Sequence, residues 1–487
     1  MSLQHTPIAE LDSIYETLQK TFRDGVARPL EWRKHQLYQL ARMAQENSDA
    51  FAASMHADLG KPAMEAILGE IGPLVERSII SAQSLDEWAK PEPVPVPEWQ
   101  QPWAPTLHKT PKGVVLIIAP WNYPMILSLQ PLMGAIAAGC PAVIKPSEVC
   151  PTYSSLLASL LPRYLDQSAY RVVNGSVPEV SHLLKLKWDH IFYTGNGSVA
   201  RIVSAAAAKH LTPVTLELGG KSPVLVDANC DLKLAAKRAF FGKTTNAGQI
   251  CICPDYVILP RSAKDEFVAG LQDAYDTFYP EGALKSESFG SIVSKLHYDR
   301  LLDLQKRTRA KAVIGGKTDG RNRIEPTVYV DVEDDDSLME GEIFGPLFPI
   351  VLVDDINEGI ELINKRPHPL VLYAFTNDPK VKQALIDRTR SGTLIFNDTI
   401  QQLSVNEIPF TGIGESGQGY QILKYTYDGF THLRASIDIP AESEPILSPR
   451  YAPYTPENIK LLTDATLNQP IPKSVYPKAE QNGKARY

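Results

Sequence analysis

Apolar positions recur at helical spacing near the start of the chain, at Ile8, Leu11, Ile14, Tyr15, Leu18 and Phe22, and again at Leu37, Leu40 and Ala44 after Pro29. That spacing predicts a mostly helical beginning, through about residue 90. Pro91–Pro111 then packs seven prolines beside Trp99 and Trp103, a composition that blocks helices and predicts an extended arm or edge strand leaving the first domain and returning to it. From Gly113 the pattern changes to short, fully apolar β-branched runs. Val114–Ala119, Ala142–Lys145, Arg171–Asn174, His190–Tyr193 and Val214–Leu218 read as strands, separated by helices near 126–138, 151–164, 178–186 and 198–209. A second alternating region, about 223–400, offers strands at Val224–Val226, Tyr256–Leu259, Ile350–Val353 and Thr393–Phe396. Strands alternating with helices predict parallel sheets covered on both faces, hence two α/β domains. In such sheets ligands sit at the carboxyl ends of the strands. The loops Pro120–Pro124, Pro146–Glu148, Thr194–Ser198 and Gly219–Lys221 are therefore the ones to inspect. From Ala441 the chain turns polar and proline-rich, with no core-forming pattern of its own.

Composition narrows the function. The 487 residues are 44% hydrophobic and 22% charged, ordinary globular values. A net charge of −7 without a basic block argues against nucleic acid or anionic lipid as partners. The amino terminus resembles neither a secretory signal nor a transit peptide, and the longest apolar runs fall far short of the roughly 20 residues that span a bilayer. Five cysteines (Cys140, Cys150, Cys230, Cys251, Cys253) are too few and too uneven for a disulfide framework, so a reducing, cytoplasmic setting is expected.

Seven stretches carry candidate chemistry. In Asn246–Ala247–Gly248–Gln249–Ile250–Cys251–Ile252–Cys253, a glycine shortly before Cys251 lets the backbone approach a ligand; a nucleophilic thiol needs such donors, though Cys253 or a purely core role is equally open. Glu217 ends an apolar strand just before Gly219–Gly220–Lys221. It reads either as a general base of raised pKa or as half of a buried ion pair with Lys221. Asn122, in Pro120–Trp121–Asn122–Tyr123–Pro124, could donate to an oxyanion or simply form a turn. Lys145 and Glu148 could grip ribose hydroxyls or cap a helix. Gly195–Asn196–Gly197–Ser198–Val199–Ala200 matches G-x-G-x-x-A after a strand, with Glu217 about twenty residues on as the acidic ribose ligand, but this is the fourth strand-to-helix turn rather than the first. Glu342–Ile343–Phe344–Gly345–Pro346 and the Gly-rich stretch 409–420 complete the set; the latter lacks a Lys-Ser/Thr and reads as an irregular loop.

Taken together, PWN, KPSE, LELGGKSP, NAGQxC and EIFGP stand in the order and spacing of the aldehyde dehydrogenase superfamily, which the chain resembles over roughly residues 8–435. GVVLIIAPWNYP, QPLMGAIAAG, NAGQICICPDY and FNDT resemble its class 3-like branch, which includes the fatty aldehyde dehydrogenases. The resemblance implies an α/β fold: a Rossmann-like cofactor domain (1–90 and 112–213), a catalytic α/β domain (214–400), and a small β oligomerisation element (91–111 and 401–440), followed by the Pro-rich tail 441–487. It implies Cys251 as nucleophile, Glu217 as general base and Asn122 as oxyanion donor together with the Cys251 backbone N–H. It further implies a cofactor set of Trp121, Lys145, Glu148, Gly195, Asn196, Gly197, Ser198, Val199, Ala200, Leu218, Glu342 and Phe344, with NAD as cofactor and NADP as an alternative, and no metal. The expected partner is a second copy of the chain in a homodimer, and the substrate an apolar aliphatic, aromatic or terpenoid aldehyde. Two features depart from the branch: Asn196 replaces a common serine, and Gln421–Ile422–Leu423–Lys424 replaces the usual His-Gly-Lys after Tyr420. The hydrophobic anchor that often ends fatty aldehyde members has no counterpart in this tail. The rival readings are a cysteine acyl hydrolase, which would need a histidine base that no motif supplies from its own neighbourhood, and a binding protein that has lost activity on the same fold.

Overall fold

The computed structural model describes residues 3–471. They form two units, one comprising the chain through Lys90 together with Lys109–His432, the other comprising Pro91–His108 and the chain from Leu433 onward.

The first unit holds two sheets. One runs in the order Gly417–Gln418, Val214–Glu217, His190–Thr194, Val115–Ile118, Ala142–Lys145, Tyr170–Val172, parallel except for its first strand. Its sequence pattern explains its two covered faces. Val115, Ile117, Ala142, Ile144 and Phe192 belong to one hydrophobic core, while Val114, Leu116, Ile118, Val143, Ile191 and Tyr193 belong to another, as a period of two requires. Helix Ile126–Ala138 is almost wholly buried in the first core, and helices Ile8–Asp24 and Gly197–Ala208 bury Leu11, Ile14, Leu18, Ala200, Val203 and Ala207 in the second. From Val115–Ile118 the chain crosses to Ala142–Lys145 on one side and later returns on the other side as His190–Thr194. The loops after these two central strands therefore diverge and leave a crevice between them.

The other sheet has seven strands, ordered Lys311–Ile314, Thr327–Val330, Leu347–Val353, Tyr256–Pro260, Pro223–Val226, Val371–Phe375, Thr393–Phe396, parallel except for the first. Lys311–Ile314, Thr327–Val330 and Val371–Phe375 add to the strands that the pattern predicted. The strand expected to begin at Ile350 begins at Leu347, with Pro349 inside it. Pro349 pairs only with Tyr329, because the second neighbour joins at Ile350, so its missing N–H falls where the strand is still one-sided.

Two further expectations shift. Val214–Glu217, assigned by the predicted boundary at 213/214 to the catalytic domain, pairs with His190–Thr194 and completes the first sheet; its partners are distant in sequence and left no local signal. Much of the predicted bridging element 401–440 lies in the first unit, up to His432. Most of the three-stranded sheet Glu92–Pro93, Thr106–Pro111, Thr431–Ser436 falls in the second unit, and the proline-rich arm also admits a short 3-10 helix, Glu98–Trp103. Within the tail, helix Pro456–Thr466 buries no residue; the tail prolines Pro472 and Pro477 lie outside the described residues.

Candidate active site

Both sheets contribute to the site, from opposite ends. Asn122 and the turn at Gly195 follow strands of the first sheet, whereas Gly219–Lys221, Cys251 and Glu342–Phe344 precede strands Pro223–Val226, Tyr256–Pro260 and Leu347–Val353 of the second. The carboxyl edge of one sheet and the amino edge of the other thus supply the loops, which is why the carboxyl-end rule alone does not reach Cys251 or Glu342.

The approach to Cys251 is strained and tightly held. Asn246, Ala247 and Gly248 all have positive φ, at 50°, 52° and 75°. For the two non-glycine residues this costs of order 1–3 kcal/mol each, so surrounding contacts must impose it. The Asn246 N–H donates to Glu65 Oε2 at 2.8 Å, and its side-chain amide donates to the carbonyls of Asn122 at 3.0 Å and Gln249 at 3.1 Å. Buried Gln249 donates to the carbonyls of Asn246 and Ser291 and accepts from the Val293 N–H. Gly248 has no room for a side chain, since a Cβ would come within 2.3 Å of the Gly345 carbonyl oxygen. These contacts deliver Cys251, partly exposed, to the wall of a cavity of about 740 Å³. Burial pushes its thiol up, and the carboxylates of Glu342 and Glu217 add to that, while its own N–H and that of Ile252 pull the other way. Cys253, by contrast, is buried beside Lys243 Nζ at 3.7 Å and does not line the cavity.

Asn122 is buried, its side-chain amide donating to the Gln249 carbonyl at 3.1 Å, and so lies beside the cysteine loop. Its loop is pinned by Lys61 and Glu70, an ion pair with no solvent exposure. Lys61 Nζ donates to the Asn122 carbonyl at 3.0 Å and sits 3.8 Å from the centre of the Tyr123 ring; Glu70 Oε2 accepts from the N–H groups of Met125 and Ile126 at the start of the next helix. Neither residue stood out in the sequence, where both lie in the stretch that the apolar spacing predicts as mostly helical.

Glu217 is 2% exposed, and neither carboxylate oxygen meets a partner at hydrogen-bond geometry. Lys221, its alternative ion-pair partner, is engaged elsewhere, with Asp255 Oδ2 at 2.5 Å and the carbonyls of Leu338 and Gly341. Burial pushes the Glu217 carboxyl well above the usual carboxylate range, opposed only by Gln421 among the groups around it. The buried ion pair is thereby ruled out as the reason for this residue.

The expected dinucleotide contacts fall in three places. Lys145, almost fully buried, pairs with the more exposed Glu148 at 2.5 Å on the edge of the first sheet. Glu342 packs its carboxylate on Gly219, where a Cβ would lie 2.3 Å from Oε2; its Oε1 is buried without a partner, and burial and Asp255 push its pKa up to about 8. An unpartnered carboxylate oxygen above a bare glycine is a place for ribose hydroxyls, so the residues present fit a dinucleotide. Trp121 meets Phe344 edge-on at 5.3 Å and His297 at 4.9 Å, a histidine that no motif brought near; burial and Arg300 push its pKa down. In the turn after His190–Thr194, Asn196 Oδ1 accepts from the Val199 N–H and the Ser198 hydroxyl, so this side chain caps its own helix, and Ala200 faces the core. Of the predicted G-x-G-x-x-A contacts, Ala200 therefore presents no side chain to a ligand. Leu218 is buried, its N–H donating to the Ser416 carbonyl.

The model of the aldehyde dehydrogenase family matches residues 2–436. The chain is 41% identical over 448 residues to a canine (Canis lupus familiaris) dimeric NADP-preferring aldehyde dehydrogenase, covering 92% of this chain and 98% of that protein. It is 42% identical over 445 residues to aldehyde dehydrogenase family 3 member A2 of Rattus norvegicus, covering 91% and 92%. Among solved structures, a substrate-bound Staphylococcus aureus AldH superposes with a TM-score of 0.91 at 36% identity, covering 93% of this chain and 99% of that one. With a family model spanning both sheets and relatives matched over nearly their whole length, the chain belongs to the aldehyde dehydrogenase family and oxidises an aldehyde to the carboxylic acid with NAD(P)+.

Proposed function

We propose that Cys251 is the nucleophile, Asn122 the oxyanion donor and Glu217 the general base, and that the substrate is an apolar aldehyde of medium to long chain. The observation that carries this reading is the cavity of about 740 Å³, which has Cys251 in its wall and is otherwise largely apolar, with Ile67, Leu68, Phe241, Leu403 and Ile422 among its lining. The Cys251 thiolate adds to the aldehyde carbon, and the new oxyanion is stabilised by the Asn122 amide and the Cys251 N–H. The bound dinucleotide supplies the hydride acceptor, with Lys145, Glu148, Glu342, Phe344 and Trp121 as the residues to hold it. Loss of hydride from the carbon leaves a thioester on Cys251. Glu217 then takes a proton from water as the oxygen attacks; the C–S bond breaks, Cys251 leaves as thiolate and the acid is released.

An aldehyde series tests the substrate class. Each methylene buried in the apolar wall contributes up to about 0.8 kcal/mol, so kcat/KM is expected to rise by up to about fourfold per carbon until the cavity is filled. A flat series, or one favouring charged aldehydes, overturns the assignment. The same assay reports cofactor choice. Glu148 alone would repel a 2′-phosphate, but its pairing with Lys145 offsets that charge, and both NAD+ and NADP+ are expected to support turnover within about tenfold of each other.

A homodimer is the expected assembly, supported by the word "dimeric" in the name of the canine relative and by the three-stranded sheet at the expected place. Light scattering is expected to give the mass of two chains, and a single-chain mass would refute it. Five free cysteines suit a reducing cytoplasm. Among the described residues no helix is long and apolar enough to cross a membrane.

A further inference from the structure

The loop that carries Cys251 is held from both ends. Glu65 takes the Asn246 N–H at its entry, and at its exit the carbonyl of Ile252, the residue after Cys251, accepts from the Tyr373 hydroxyl at 2.8 Å. That hydroxyl has two further contacts: the Ile400 N–H donates to it at 3.2 Å and the Gln402 side-chain amide at 3.3 Å. A phenol offers one donor and two acceptor positions, and all three are used. The directions are forced as well. The Ile252 carbonyl can only accept and the Ile400 N–H can only donate, so the hydroxyl proton goes to Ile252 and Gln402 must turn its NH₂ inward.

Tyr373 can set a position because its own is fixed. It lies mid-strand in Val371–Phe375, paired with Val224 on one side and Ile395 on the other, and it is fully buried. Burial pushes its hydroxyl pKa up, and the Cys253 and Cys251 thiols add to that, so the group remains a donor at neutral pH. What it grips on the far side is strained. Ile400 has φ 68°, a left-handed conformation that is a genuine outlier for a β-branched residue. It opens the short 3-10 turn Gln401–Ser404, and Ile400, Gln401 and Leu403 line the same cavity as Cys251 and Ile252. Strain of this kind persists only where neighbours impose it, and it collects at ligand clamps.

On the reading of Cys251 as nucleophile in the wall of the substrate cavity, we infer that Tyr373 is a positioning residue: its hydroxyl fastens the strained apolar wall at Ile400 to the carbonyl beside Cys251, so that the aldehyde chain seated on Ile400–Leu403 and the sulfur that attacks its carbonyl carbon keep one fixed spacing. Attack depends on that spacing, and a displacement of about 1 Å can slow a reaction by of order 10²-fold. Tyr373 itself does not line the cavity, so it acts through the two segments it joins.

The test is Tyr373→Phe, which keeps the ring in its strand and removes only the hydroxyl. Single-turnover formation of NADH is followed with enzyme in excess over aldehyde, for propanal, which has little chain to seat on the wall, and for decanal. The maximal rate with propanal is expected to fall about tenfold, because the sulfur loses its register; the half-saturating concentration is expected to rise about threefold for decanal and to stay level for propanal, because the wall loosens. A merely structural role would lower the amount of active enzyme and leave both constants per active site at their native values, and that result overturns the inference. So does a change confined to one end, in the propanal rate alone or in the decanal saturation alone. Should Tyr373→Phe fail to fold, Ile400→Gly serves, since glycine adopts φ 68° without strain and the N–H is no longer held in place by its own residue's conformation. Its propanal rate is expected to fall about threefold, and a native propanal rate in that variant overturns the inference. Single-turnover NADH from Cys251→Ala would instead overturn the nucleophile reading on which the inference rests, so the two failures are distinguishable.

Discussion

Replacing Cys251 by alanine is expected to abolish aldehyde oxidation, by about 10⁴-fold or more, while dinucleotide binding is retained. Without the sulfur no thiohemiacetal forms, and no neighbouring group can take its place: the only other cysteine in the motif, Cys253, is buried beside Lys243 and does not line the cavity. The exchange is small in volume at a partly exposed position, so a stability loss of no more than about 1 kcal/mol is expected and the inactive variant remains folded. The check is a pair of variants assayed for NADH formation and, by titration calorimetry, for NAD+ affinity. Cys253→Ala should stay active, with some loss of stability from its buried site. Activity in Cys251→Ala together with inactivity in Cys253→Ala would reverse the assignment.

Glu217→Gln is expected to separate the two halves of the reaction. Acylation and hydride loss need no proton taken from water, so the variant should give up to one NADH per active site in a rapid burst. Hydrolysis of the thioester does need one, and the steady rate should then fall by about 10²-fold or more. The sign of the pH dependence follows from the raised carboxyl: in the native enzyme hydrolysis should quicken as pH rises through the displaced Glu217 pKa, and that limb should vanish in the variant. If Glu217 instead held the ribose, as the G-x-G-x-x-A pattern would have it, the variant would show a raised KM for NAD+ and near-normal turnover at saturation.

The helical opening, the alternation of strands and helices from Gly113 and the near-continuous apolar strands are all local patterns, and they appear where the sequence places them. Asn122, Glu217, Cys251 and Glu342 stood out because each is a reactive or polar residue in a run of glycine, proline and apolar neighbours. Lys61, Glu65 and Glu70 did not. They lie on helices or in the irregular turn between them, where charge ordinarily faces water, and only their burial against the Asn122 loop and the cavity reveals a task.

By itself, then, the sequence determined the class of fold, the order of elements and the residue types that an acyl-forming oxidation requires, because periodicity and motif chemistry are written in neighbouring residues. Tertiary structure decided the questions of partnership. It separated Cys251 from Cys253 by placing one in a cavity wall and the other beside Lys243. It removed Lys221 from Glu217 by giving it Asp255. Whether a buried carboxylate is an ion-pair half or a base depends on which groups surround it, and those groups come from segments that only folding brings together.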